Sequence, residues 1–278
     1  MIASFAPGEI TIAGEAEVVF SKGGIVNDPG VQSAAEPTLG LSQWQRVSNA
    51  FMAPSKTFED IKRGNRSWWM PLLIMAVVGY ILFATIYSMI GMEQVVTNQM
   101  HLSATTMSRI AQLTPEQRAM SEKISLYSVE GAFIASPALV LLGAAIASAV
   151  LLGTINFVFG GKATFGSVFA VWFYASLPSI IKSLLGVVVI LAGMAPESFN
   201  INNFAPTNLG AFLDPAETNK ALYALASAFD AITIWTLVLM GMGTAKVAGV
   251  KSGSGYITVF GWWAVVVLLG VAGAAIRG

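Results

Sequence analysis

Five apolar blocks, each near the length that a bilayer core demands, govern what this chain can fold into. They run at about 68–91, 131–158, 165–194, 221–245 and 256–276. A helix rises about 1.5 Å per residue, so roughly 20 apolar residues cross ~30 Å of hydrocarbon. No water reaches the backbone there, and a helix bonds its own N–H and C=O groups. The rest of the composition agrees. Of 278 residues, 55% are hydrophobic and 11% charged, against about 25% charged in soluble domains. The expected fold is all-α, a polytopic bundle of five transmembrane helices. Its immediate partner is the lipid bilayer.

Charge and residue types exclude several functions. Fifteen Lys+Arg balance fifteen Asp+Glu, which gives no field to favour nucleic acid. The chain has no Cys and one His, His101. Disulfides, thiolate sites and a multi-His metal centre within one subunit are therefore excluded. Neither a G-x-S-x-G elbow nor H-E-x-x-H occurs, and "FGGKATFG" (159–166) lacks P-loop spacing. Asp230 is the one Asp within a span, whereas aspartyl proteolysis needs two carboxylates sharing a site. No catalytic residue, cofactor or metal is expected.

Residues 1–40 read as a disordered tail with no secretory h-region, since Glu9, Glu15 and Glu17 interrupt it. Lys22-Gly23-Gly24 can be encoded by a purine-rich ribosome-binding sequence, and Val26 can serve as a bacterial start. Residues 1–25 are thus either a mis-called extension or part of an ordinary tail. Residues 41–66 differ: Trp44, Val47 and Phe51 share a helical face, with Arg46 and Asn49 off it. Pro54 restarts the helix; Phe58 and Ile61 form a second apolar face, and Lys56, Lys62, Arg63 and Arg66 flank it. This segment is either an amphipathic interfacial helix with its basic side on anionic headgroups or a helix packed on the protein's own loops. On the first reading Trp44, Phe51, Lys62, Arg63 and Arg66 touch the membrane surface, joined by the Trp68–Trp69 anchor. Residues 67–278 form the membrane domain.

Positive charge sets orientation. With the N-terminus inside, nine Lys/Arg lie on the inner side and five on the outer. Four of the nine (Lys56, Lys62, Arg63, Arg66) directly precede the first span. The N-terminus is expected in and the C-terminus out.

Two ionisable residues lie well inside the expected spans, Lys182 in the third and Asp230 in the fourth. Each alone costs about 2.5–3.5 kcal/mol at a helix centre on the insertion scale. On antiparallel neighbours they can meet at similar depth, with Lys182 also reaching carbonyls freed by Pro178. Three readings stay open: a structural clamp, a pair lining a path for an ion or small solute, or a Lys182 that snorkels away from Asp230. Pro137 and Pro178 are the expected helix bends.

Three stretches carry a family resemblance. "FMAPSKTFEDIKRGNRSWWMPLL", "FGGKATFGSVFAVWFYASLPSIIK" and "FDAITIWTLVLMGMG" resemble the entry segment, the G-K-x-[ST]-F turn with its Tyr-x-x-x-Pro helix, and the Asp-x-x-x-x-Trp span of the bacterial Yip membrane proteins. The likeness runs over roughly 45–275. It implies a five-helix bundle with a cytoplasmic N-terminus, in a bacterial inner membrane. Eukaryotic relatives bind small GTPases and one another in membrane trafficking; a bacterial chain is not expected to have that GTPase partner. The functional expectation is a non-enzymatic scaffold or adaptor that associates with itself or another membrane protein. The alternative is a small transporter or channel subunit built on Lys182 and Asp230.

Overall fold

The computed structural model describes residues 40–102 and 104–277. The expected tail and the alternative start at Val26 lie outside them. Two short helices open the described chain. Helix α1 (Gln43–Met52) starts at a capping box, with Ser42 and Gln45 satisfying each other's backbone N–H. Helix α2 (Pro54–Lys62) places Pro54 at its first position, where a missing N–H is harmless. The apolar helix α3 (Trp69–Met89) follows, then α4 (Met92–His101), α5 (Ala104–Ala111) and α6 (Pro115–Ile134). Next come α7 (Ser136–Phe157), α8 (Phe165–Ala175) and α9 (Ser179–Leu191). Short 3-10 turns between 196 and 212 lead to α10 (Lys220–Ala228), α11 (Ala231–Ala248) and α12 (Ser252–Arg277). No strand occurs among the described residues. Among the described residues, five stretches are long and apolar enough to cross a membrane: α3, α7, α8 with α9, α11 and α12.

Three of these differ from the expected spans. The second begins at Ser136 rather than 131, because the chain turns at Ala135 between α6 and α7. Pro137 sits in the first turn of α7, so it starts a helix and bends none. The third is broken at 176–178. There Leu177, Ser179, Ile180 and Ile181 donate to carbonyls three residues back, not four. This tight turn forms where Pro178 has no N–H to continue the ladder. The fourth is also discontinuous: α10 stops at Ala228, and the apolar span is 231–248 rather than 221–245.

The bundle packs through small residues. Glycine lets α11 and α12 touch backbone to backbone: a Cβ on Gly255 would lie 2.1 Å from the Gly241 carbonyl oxygen. Gly255→Ala should therefore part these helices and cost about 1–3 kcal/mol, the usual penalty for overpacking. Thermal unfolding in mild detergent reads this out, and a melting point equal to wild type would refute the close contact. Gly243 makes room for α2. A Cβ there would sit 2.6 Å from Val171 and 2.9 Å from the Phe58 ring. Phe58 and Ile61 are consequently fully buried, in one core with Val168, Val171, Tyr174 and Leu239. A second core joins Leu82 and Ile86 of α3 to Met92, Val95, Ile190 and Phe199. The outer sides of the long helices stay apolar and exposed, as at Val266, Leu268 and Leu269 of α12. That is what a lipid-facing surface requires.

Helices α3 and α9 run side by side in the same direction. Ser179 Oγ donates to Met75 Sδ at 3.7 Å, and Gly186 lies against Leu82. This register sets Lys182 opposite Val78, close to the middle of α3. Lys182 is therefore at mid-span.

Candidate functional site

The break before α11 meets α9 about one turn past the Pro178 break, and the two charges pair there. Asp230 is the N-cap of α11, with extended backbone angles (φ −108°, ψ 125°). Its Oδ1 accepts from the Thr233 N–H at 2.8 Å. Its Oδ2 accepts from Lys182 Nζ at 2.9 Å and from the Thr207 hydroxyl. Lys182 stands one turn past Pro178, on the same side as Ser179. The carboxylate thus serves two positive ends at once, the ammonium and the N-terminal dipole of α11. The expected bonds from Lys182 to carbonyls freed by Pro178 are not made; among the described residues its hydrogen bond goes to Asp230.

The loop between the third and fourth spans closes the arrangement. Ala231 N–H donates to the Thr207 carbonyl at 2.9 Å and Leu209 N–H to the Phe229 carbonyl at 3.3 Å, a two-bond antiparallel bridge. The backbone groups released at the α10–α11 break find partners this way. Asn203, Asn208 and Tyr223 continue the network outward. Phe204 lies over Gly186, where a Cβ would approach its ring to 2.5 Å. That ring's centre is 5.8 Å from Lys182 Nζ, within cation–π range. Asp230 is 2% exposed at its side chain and Lys182 25%. The unequal burial comes from the loop covering Asp230 while Lys182 keeps one open side.

That open side meets a cavity of about 410 Å³. Met75 and Gly79 of α3, Pro137 of α7, Trp172 before the Pro178 break, Ser179 of α9 and Thr236 of α11 line it with Lys182. The cavity is bordered by α3 and α9, which run together, and by the start of α7. Beside it α3 is tied to the end of α6, just before the turn into α7: Phe83 stacks on Phe133 and the Tyr80 hydroxyl donates to the Ile134 carbonyl.

A second buried charge belongs to α1. Arg46, which the expected Trp44–Val47–Phe51 face left on the outside, is fully buried. The helix is turned by roughly a quarter turn from that reading, so that Arg46 and Ala50 point inward and Trp44 is 67% exposed. Arg46 Nη1 donates to the carbonyls of Asn65 and Ser67 at 2.9 and 3.3 Å. Its Nε is 3.6 Å from Asp60 Oδ2, and its guanidinium lies 5.2 Å from the centre of the Tyr174 ring. Asp60 also accepts from Leu41 N–H and Asn65 Nδ2. The Tyr174 hydroxyl donates to Gln43. These contacts fasten α1 and α2 onto α8. Sequence reading missed Arg46, Asp60 and Tyr174. The available signal was the four-residue spacing of Arg46 and Ala50, hidden by the more obvious aromatic spacing.

The other expected surface residues divide. Trp44, Lys62, Arg63, Arg66 and Trp69 are exposed, whereas Phe51 and Trp68 are half-buried. Phe51 packs edge-on against Trp235, and Trp68 stacks on Phe173. Glu59 bridges α2 to Lys246 at 3.0 Å. Its hydrogen bond to Lys246, with the Arg63 and Lys62 charges nearby, holds its carboxyl below the ordinary value of 4.5, against some desolvation. A depressed carboxylate contributes stability above its unfolded pKa and loses it as pH falls through the lower folded value. Glu59→Gln should therefore flatten the pH dependence of stability below about pH 4.5. The effect is small, because the pair is solvent-screened. Parallel pH titrations of unfolding for the two proteins would expose a false attribution.

Among the described residues no group of His, Cys, Asp and Glu is placed to hold a metal ion. A family model described as the Yip1 domain matches residues 49–274. Neither the curated proteins nor the solved structures contain a match.

Proposed function

The chain belongs to the Yip1 domain family, and from that premise we propose that it is a non-enzymatic scaffold or adaptor of the membrane. It associates with itself or with another membrane protein, with its N-terminal helices on the cytoplasmic side of a bacterial inner membrane. One observation supports this most: an apolar stripe on α6 that the described residues leave uncovered. Met120, Ile124 and Tyr127 are 59%, 57% and 61% exposed, at spacings of four and three residues. The opposite side of α6, with Leu126, Val129 and Phe133, packs on the core of α3 and α4. Phe133 stacks on Phe83, and α3 ends at Met89. Antiparallel register therefore carries Met120 and Ile124 past the end of α3, out of the hydrocarbon. An apolar stripe there is a protein contact rather than a lipid one.

Ile124→Asp tests the reading. Mild-detergent extracts and crosslinked membranes should show wild-type protein in an oligomer or a defined complex, and the variant released to monomer. Wild-type protein that is monomeric in both settings would overturn the proposal.

The cavity at Lys182 favours a second reading, a small transporter or channel subunit. Breaks in two facing helices at mid-span are where transporter sites are built. Because the chain has no Cys, Ser179→Cys reports water access without disturbing the charge pair. Labelling by a membrane-impermeant thiol reagent would favour transport, and full protection would count against it.

A further inference from the structure

We infer that the cavity beside Lys182 is a binding site for a neutral, lipid-soluble molecule bearing a carbonyl or hydroxyl oxygen, such as an alkyl quinone or long-chain ketone. Four observations identify this occupant, independently of the scaffold reading. The first is depth. The α3–α9 register places Lys182 at mid-span, and the cavity that it lines is bordered by α3, the start of α7, α9 and α11. A site at that depth, walled by membrane-spanning helices, suits a molecule that partitions into the bilayer. The second is composition. Most of the lining is apolar, with Met75, Pro137 and Trp172 among it, and about 410 Å³ lies within the ~300–1,000 Å³ usual for small-molecule sites.

The third is hydrogen bonding. An ammonium has three N–H donors. Among the described residues, Asp230 Oδ2 is the one acceptor on Lys182, and the Phe204 ring takes a second side. A donor remains toward the cavity, where an unbonded N–H in low dielectric is costly. Ser179 and Thr236 add hydroxyls to the same wall. The fourth is charge. The Lys182 ammonium is already neutralised at 2.9 Å by Asp230, so a carboxylate or phosphate would add an unmatched negative charge at mid-span. The complementary group is an uncharged acceptor oxygen on an apolar body.

The test uses the full chain in lipid nanodiscs and two diazirine probes of equal length, an alkyl benzoquinone and the alkylbenzene lacking its oxygens. Quinone labelling should exceed alkylbenzene labelling on the order of tenfold, since one hydrogen bond to a charged donor separates them. Label should map to the peptides carrying Met75 and Trp172. Gly79→Leu fills the cavity from a position where a Cβ meets open space, and should abolish the difference. Should that variant fail to fold, the comparison of probes on wild-type protein decides alone.

Equal labelling by both probes would reduce the cavity to an acyl-chain groove and overturn the inference. So would stronger labelling by a third diazirine probe of the same length, a fatty carboxylate, which would mean that the ammonium is not neutralised. Aqueous labelling of Ser179→Cys would make the space a water-filled vestibule, again against it. Monomeric behaviour in the crosslinking experiment on α6 would leave the inference untouched, so the two proposals fail separately.

Discussion

Asp230→Ala is expected to lower the stability of the detergent-solubilised protein by about 3–5 kcal/mol, the cost of stranding one member of a buried ion pair. Loss of the N-cap on α11 adds roughly 0.5–2 kcal/mol. The variant loses the Thr233 N–H acceptor, the partner of Lys182 and the Thr207 hydroxyl bond together. It should accumulate poorly in cells. Three further variants separate these contributions. Asp230→Asn keeps an oxygen for the Thr233 N–H, so it retains the cap and loses the charge. Lys182→Met alone leaves a carboxylate that still has two other donors, and should cost less than Asp230→Ala. Lys182→Met with Asp230→Asn should recover much of the single-variant loss, because a buried pair contributes little net stability over an uncharged replacement. Denaturant unfolding of wild type, Asp230→Asn, Lys182→Met and the double variant gives the coupling. Additive losses would mean that the ammonium and carboxylate are independently solvated and that the 2.9 Å contact carries no weight.

The parts of this fold that were legible in the sequence are those fixed by length and solvent. A run such as 69–89 has one way to exist in hydrocarbon, and its start falls at the Trp68–Trp69 pair as expected. The cost of burying either charge alone made a Lys182–Asp230 contact one of the open readings, and the 2.9 Å distance between them selects it over a snorkelling Lys182. What the sequence hid is where helices stop inside an apolar stretch. Residues 221–245 are apolar enough for one span, yet the chain breaks at Phe229–Asp230 because Thr207 and Leu209, in a distant loop, supply the missing backbone partners. That contact is tertiary, and no local spacing announces it. An Asp after a helix of small residues was a readable N-cap signal, masked by hydropathy on both sides. Pro137 misled for the opposite reason. Its local chemistry fits a helix start as well as a kink, and the Ser136-Pro137 pair that marks the turn at Ala135 was masked by apolar residues on both sides. Arg46 shows the same limit at the chain's entry: a charged residue is read as solvent-facing unless its acceptors are known, and these are carbonyls on the stretch after α2.

Those acceptors make Arg46→Ala the second large effect, expected to cost about 3–5 kcal/mol by leaving the Asp60 carboxylate buried without its cation. The consequence should be regional. Arg46 joins α1 to the 65–67 backbone and, through its ring contact with Tyr174, to α8. α2 has its own anchor in the Phe58 ring above Gly243. Loss of Arg46 should thus loosen α1 first, while the α11–α12 contact stays closed. Hydrogen exchange would show faster amides over 43–52 with those of 231–248 unchanged. Arg46→Lys should fare nearly as badly, since one ammonium cannot span the Asn65 and Ser67 carbonyls and stack on Tyr174 as a planar guanidinium does. Arg46→Met with Asp60→Asn should restore much of the stability by removing both charges, with the Asn still able to accept from Leu41 N–H. A global rise in exchange across every helix would instead make Arg46 part of the bundle's common core. α1 would then be inseparable from the membrane domain rather than latched onto it.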